Sequence, residues 1–159
     1  MSEYKMIKRF VPDERKLEFL TELLITQPLY LPDEYRDRKS AVQLIVSYLY
    51  GSNSLLFEIG DYGGIMGFIN VLPHYKSGFI IKLWHKALWG ATLVREIRDF
   101  ITDIMNFHDL QRLEFQTPDV RGAEAATLFG FREECRSKYA FKWNDKFYHN
   151  ILMRKLLED

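Results

Sequence analysis

The chain has 159 residues, 47% of them hydrophobic and 15% aromatic, which is enough to fill the core of one domain and too rich in both for a disordered chain. Lysine plus arginine equals aspartate plus glutamate at 22 each, a balance that lacks the basic excess of a general nucleic-acid or membrane-surface binder. The single cysteine, Cys135, excludes an intrachain disulfide, and His74, His85, His108 and His149 show no HxxxH or CxxC spacing, so no metal is expected.

No apolar run approaches the roughly 20 residues of a membrane helix, and Met1 to Phe10 lacks the apolar core of a signal peptide. The expectation is one cytoplasmic domain over residues 1–159. Tyr4 to Val11 reads as a first strand. Pro12 suits the first turn of a helix, with Asp13 and Glu14 near its positive end. Leu17, Leu20 and Leu24 form its apolar stripe to about Ile25. Gln27 to Asp37 is a loop broken by Pro28 and Pro32. A second helix starts between Asp33 and Lys39 and runs to Tyr50, with Ala41, Leu44, Ile45, Tyr48 and Leu49 inward. Gly51-Ser52-Asn53 ends it.

The period then changes from helical to alternating. Leu55 to Ile59 is a strand, Asp61-Tyr62-Gly63-Gly64 a hairpin turn, Ile65 to Leu72 a strand stopped by Pro73, and Tyr75 to Trp84 the next strand of an antiparallel meander. Leu93, Ile97, Phe100, Ile101, Ile104 and Met105 recur at helical spacing, opposite Arg95, Glu96, Arg98, Asp99 and Asp103. Leu110 to Gln116 is a strand that this helix sets parallel to its predecessor through a right-handed crossover. Gly122 to Phe129 is a short helix. Phe131 to Lys142, a turn at Asn144-Asp145 and Phe147 to Leu157 form a closing hairpin. The expected order is β-α-α-β-β-β-α-β-α-β-β, an α+β domain with a mixed, mostly antiparallel sheet of about seven strands and helices on both faces.

Between the third meander strand and the long helix lies WHKALWGAT, residues 84 to 92. A loop there can hold a phosphate on its N–H groups and the helix N-terminus, with Lys86, His85 and Lys82 supplying charge. Such cradles favour small residues, and Trp89 and Leu88 are large. A φ > 0 forced on Trp89 would cost about 1–3 kcal/mol. Phosphate cradle and plain turn both remain readings of this stretch.

The element order, together with AATLFGFREE (residues 125–134), NDKFYHNILMRKLL (144–157) and RLEFQTPDVRGA (112–123), resembles the GNAT superfamily of acetyl-CoA-dependent N-acetyltransferases over nearly the whole chain. The closing strand is similar to that of the branch acting on protein N-termini and aminoglycoside-like amines, with Asn150 where aspartate is usual and Asp119 where asparagine is common. The resemblance implies acetyl-CoA as co-substrate, wedged between the fourth and fifth strands, and no metal. Its contacts would be Ile81, Lys82 and Leu83 on the fourth strand, Lys86, Trp89, Gly90, Ala91 and Thr92 in the loop and helix start, and Asp119. Trp89 stands where the family has glycine.

Direct transfer needs a neutral amine and a proton for the leaving thiolate, and no enzyme nucleophile. The family's acidic tyrosine falls on Ala126 here, so Tyr139 and Tyr148 on the final hairpin are the substitutes. Glu114 is the best-placed base and Glu58 a weaker candidate, though either reads equally as a solvent-facing strand residue. Cys135 reads as a small strand residue rather than a nucleophile. Tyr30, Asp33, Glu34 and Tyr35 form an acidic, aromatic rim suited to a cationic amine, or alternatively a solvated helix start. The acceptor would be a primary amine on a peptide or small molecule.

Trp89, Ala126 and Asn150 keep a second class open: a GNAT-like fold without catalysis, serving as a binding or structural component of a larger assembly. Twelve phenylalanines and nine tyrosines also leave room for a homo-oligomer or assembly interface. An unrelated α+β regulatory domain is the third reading.

Overall fold

The structure, a computed structural model, describes residues 4–51, 53–60, 63–74, 76–83 and 90–158. The element order is β1 (Ile7–Arg9), α1 (Glu14–Thr26), α2 (Arg38–Tyr50), β2 (Leu55–Ile59), β3 (Gly64–Ile69), β4 (Lys76–Leu83), α3 (Ala91–Phe107), β5 (Arg112–Thr117), α4 (Val120–Ala126), β6 (Arg132–Trp143) and β7 (Lys146–Leu156), the order expected from the sequence. Short 3₁₀ turns at Asp33–Tyr35 and Thr127–Phe129 precede α2 and follow α4.

The helix boundaries follow from their caps. Asp13 accepts the Lys16 backbone N–H at 2.8 Å, so α1 starts after it and Pro12 lies outside the helix rather than in its first turn. Asp37 does the same for Ser40 at 2.8 Å and sets the start of α2. The first strand is shorter than the Tyr4–Val11 expected. Tyr4 instead hydrogen-bonds the Asp103 carboxylate on α3 and packs edge-on against Phe100, with ring centroids 5.1 Å apart.

One seven-stranded sheet runs in the order β1-β2-β3-β4-β5-β7-β6. Every neighbouring pair is antiparallel except β4 and β5, which the α3 crossover makes parallel. Gly64, expected in the hairpin turn, is the first residue of β3 and pairs with Leu83. A Cβ at this position would meet the Lys82 carbonyl oxygen at 2.7 Å, so only glycine lets β3 stay this close to the far end of β4.

Each face of the sheet has its own core. On one, Leu93, Ile97, Phe100, Ile101, Ile104 and Met105 of α3, with Ala123, Ala126 and Phe129, cover Phe57, Met66, Phe68, Phe79 and Leu113. Fully burying one such side chain contributes about 1.5–3 kcal/mol. Phe57 and Phe100 meet edge to face at 4.8 Å, and Phe79 stacks on Phe131 at 5.0 Å, so much of the aromatic content is internal. On the other face, Leu20, Leu24, Ala41 and Ile45 of α1 and α2 cover Phe10, Leu56 and Ile65. Among the described residues no helix is long and apolar enough to cross a membrane.

Candidate active site

The parallel pair β4 and β5 is joined over only three residues: Lys76 opposite Arg112, Ser77 opposite Leu113 and Gly78 opposite Glu114. Beyond that point the strands part. Phe79 to Leu83 stay paired with β3 but, among the described residues, have no strand on the β5 side, so that edge of β4 is open. The opening is a cavity of about 510 Å³, within the ordinary range for small-molecule sites.

Alternation along β4 sorts its side chains. Ile81 and Leu83 pack with Phe79 into the α3 core, whereas Ile80 packs against the α1–α2 core. Lys82 shares the phase of Ile80. Its Nζ lies 4.2 Å from the centroid of the Tyr30 ring, a cation–π contact. It has no carboxylate within ion-pair distance among the described residues. Burial pulls its pKa down to about 8, while the charge of Asp119 pulls the other way. Burial also pushes the Tyr30 hydroxyl up, with a further push from Asp119. The turn that delivers Tyr30 holds Leu29 at φ 64°, a left-handed conformation that costs a residue with a Cβ about 1–2 kcal/mol.

The opposite wall comes from β5 and α4. Glu114, Phe115, Gln116 and Thr117 line it, followed by Asp119, Arg121 and Gly122. Glu114 lines the cavity as expected, but it is already occupied: Lys76 Nζ lies 3.1 Å from one carboxylate oxygen and Arg112 Nε 3.0 Å from the other. Burial raises its pKa, but the hydrogen bonds from Arg112 and Lys76 outweigh burial and leave it below the ordinary glutamate range. That is a poor setting for a general base. Glu58 is buried elsewhere on the sheet and paired with Lys16 at 3.1 Å. Asp119 caps α4 by accepting the Arg121 N–H at 3.0 Å.

Other expected residues lie away from the cavity. The Asp33 carboxylate accepts the backbone N–H groups of Asn144 (2.8 Å) and Asp145 (3.0 Å), so it ties the loop before α2 to the tip of the β6–β7 hairpin. Glu34 and Tyr35 are exposed, and neither lines the cavity. Tyr139 is exposed at a break in the β6–β7 register, at φ 52°, its N–H donated to His149 Nδ1 at 3.2 Å. Tyr148 pairs with Phe141 on the same hairpin. The tyrosines that do line the cavity are Tyr30 and Tyr48, the latter pushed up by burial to about 12. Asn150 donates to the Gln116 side-chain oxygen at 2.6 Å, bridging β7 to β5.

At the far end of β4 the chain enters α3. Gly90 precedes the helix at φ −85°, an ordinary value, so no positive φ calls for glycine there. Gly90, Ala91 and Thr92 are exposed, and among the described residues no side chain caps the helix, which leaves its first-turn N–H groups without a side-chain acceptor there. Lys86 and Trp89, with Trp84, His85 and Leu88, lie outside the described residues. Among the described residues no cluster of three His, Cys, Asp or Glu side chains could hold a metal ion.

The overall arrangement of these elements is also found in known structures. A chimera of spermidine N-acetyltransferase SpeG from Vibrio cholerae and hSSAT aligns with a TM-score of 0.70 at 16% identity, covering 97% of each chain. SpeG from Vibrio cholerae in complex with CoA and spermine aligns at 0.65 and 16% identity over 96% of each chain. The chain has the GNAT fold. No family model and no curated protein sequence matches it. At such low identity the likeness concerns the fold, and the GNAT fold is what places the cavity between β4 and β5.

Tyr48, Gln116, Thr117 and Arg121 are among the lining residues not foreseen at the site; Lys82 was expected there as a cofactor contact, not as a side chain against Tyr30. For Lys82 the sequence held a signal: it interrupts GFIIKLW two residues after Ile80, which puts a charge in phase with a buried isoleucine.

Proposed function

We propose that this chain transfers an acetyl group from acetyl-CoA to a primary amine, by direct attack of the amine on the thioester in a ternary complex. The observation that carries the reading is the early end of the β4–β5 ladder at Gly78 and Glu114. It leaves the edge of Phe79 to Leu83 open as an extended backbone surface on which a pantetheine amide chain can pair like an added strand. Ile81, Lys82 and Leu83 would contribute that edge, and Gly90, Ala91, Thr92 and Asp119 the helix ends beyond it. Lys86 and Trp89 belong to this proposal as residues of the connecting loop. The support from neighbours is that one of them, SpeG, is known with CoA and spermine bound.

In this reading the cavity spans both reactants. The thioester lies in the gap, and the amine enters from the α1–α2 side past Tyr30 and Tyr48. The amine must arrive neutral, so the apolar wall assists by disfavouring its charged form. Attack forms the amide N–C bond, breaks the C–S bond, and releases a thiolate and a proton. Of the cavity tyrosines, Tyr30 is the better placed of the two to hydrogen-bond a developing charge, because Lys82 and Asp119 share its surroundings.

The test is release of free coenzyme A thiol from acetyl-CoA over a panel of amines. The reading expects amine-dependent release. Coenzyme A should also raise the melting temperature by mass action. A protein that shows neither at millimolar ligand has no transferase function of this kind. A melting shift without release on any amine would favour a binding role instead.

A further inference from the structure

Resting on the acetyl-transfer reading, we propose that the acceptor amine also carries a carboxylate, received by Lys82, and an apolar body, received by the wall beside it. The acceptor class is then an apolar amino acid rather than a polyamine.

The argument starts from charge. An acidic rim for a cationic amine was the sequence expectation, but the cavity does not contain it. Asp33 is committed to the hairpin tip, and Glu34 lies outside. Glu114 is neutralised by Lys76 and Arg112. What projects from β4 on the α1–α2 side is a half-buried ammonium group that contacts an aromatic ring and no carboxylate among the described residues. A buried charge without a counter-ion is costly unless something supplies one. A bound carboxylate supplies one and gains a charge-assisted hydrogen bond. A polycation would meet like charge at the same place.

The surroundings define the rest of the ligand. Leu24, Leu44, Tyr48 and Ile80 line the same cavity as Lys82. A recess of about 20 Å³ between α1, α2 and β4 shares Leu24, Tyr48 and Ile80 with it, so the apolar body itself would lie in the main cavity. On the α1–α2 side Lys82 stands alone among Leu24, Leu44 and Ile80, with Arg121 across the cavity, and one ammonium there matches a single carboxylate better than a phosphate dianion, which needs more donors. Asp119, on the β5 side of the cavity, can accept a hydrogen bond from the neutral amino group and hold it toward the gap. Carboxylate, apolar side chain and amine then have separate seats around one carbon. The lowered pKa of Lys82 fits this arrangement, since an anion would restore what burial removed.

The experiment titrates three probes calorimetrically into the full chain saturated with coenzyme A: leucine, 3-methylbutylamine (the same body without the carboxylate) and spermidine. Leucine is expected to bind tighter than 3-methylbutylamine by about tenfold or more. Lys82→Met should erase that ratio and Lys82→Arg should keep most of it. Melting curves check that both variants fold. Equal or tighter binding of either amine, no binding of leucine, or a ratio unchanged in Lys82→Met would each overturn the proposal. Thiol release, read in parallel, tests the underlying reading separately. Leucine that binds through Lys82 without turnover counts against transfer and keeps the anion site. Turnover of 3-methylbutylamine or spermidine with no preference for leucine keeps transfer and removes the anion site.

Discussion

Lys16 and Lys82 both reach the α1–α2 side of the sheet, and their situations differ. Near β1 and β2, Lys16 lies 3.1 Å from the buried Glu58 carboxylate, with the Phe10 ring 5.6 Å away. On β4, Lys82 has the Tyr30 ring at 4.2 Å and no carboxylate partner among the described residues. The first arrangement closes one end of the sheet and serves stability. The second places a charge where the sheet opens, at a cost to stability that the Asp119 charge offsets only in part. A fold that neutralises one half-buried lysine and leaves another beside a cavity separates a structural end from the end where we propose a ligand binds.

The comparison can be broken most severely at Lys16. Among the described residues, Lys16→Met leaves the buried Glu58 with Lys8, an exposed side chain 3.5 Å away. A loss of about 2–4 kcal/mol is expected by denaturant unfolding. Lys82→Met should act in the opposite direction. The Lys82 pKa falls from 10.5 to about 8 on folding, so removing the charge should stabilise the fold by about 2–3 kcal/mol at pH 7. The sign follows from the protons bound. Below pH 8 the full penalty of the buried charge is present. Between pH 8 and 10.5 the unfolded chain still holds a proton that the folded chain has released, so wild-type stability gains on the variant as pH rises. The advantage of Lys82→Met should therefore shrink across that window, as unfolding curves at several pH values would reveal. A variant less stable than wild type at pH 7 would make Lys82 a structural residue like Lys16.

Smaller effects sharpen the contrast. A double-mutant cycle of Tyr30→Leu with Lys82→Met should give a coupling of about 1 kcal/mol, the scale of a partly desolvated cation–π pair; zero coupling would mean the ring does not hold the ammonium. Asp33→Asn should change the melting temperature little while exposing the Asn144 and Asp145 amides to faster hydrogen exchange. Unchanged exchange at those two amides would remove Asp33 from the role of hairpin anchor.

The element order was legible in the sequence because the hydrophobic period switches cleanly at Gly51 and again at Gly90, whereas the caps at Asp13 and Asp37, which fix where α1 and α2 start, were not read as caps. The buried face of α3 was legible residue by residue for the same reason. The site was less so. GFIIKLW reads as a strand whether or not a neighbour pairs with it, so its alternation locates β4 but not the residue where β5 departs. The bond from Asp33 to the hairpin tip spans 111 residues, and no local pattern encodes it. That is why Asp33 looked like an acceptor-site acid. Tyr139 and Tyr148 looked usable because a hairpin's sequence does not reveal which of its residues extend past the neighbouring strand.

The central claim is that β4 beyond Gly78 is an open edge reserved for acetyl-CoA. Hydrogen exchange along β4, with and without coenzyme A, tests it most directly. Binding should slow exchange within Phe79 to Leu83 and leave Lys76 to Gly78, already paired with β5, unchanged. Exchange that stays the same throughout β4 at millimolar coenzyme A would contradict it.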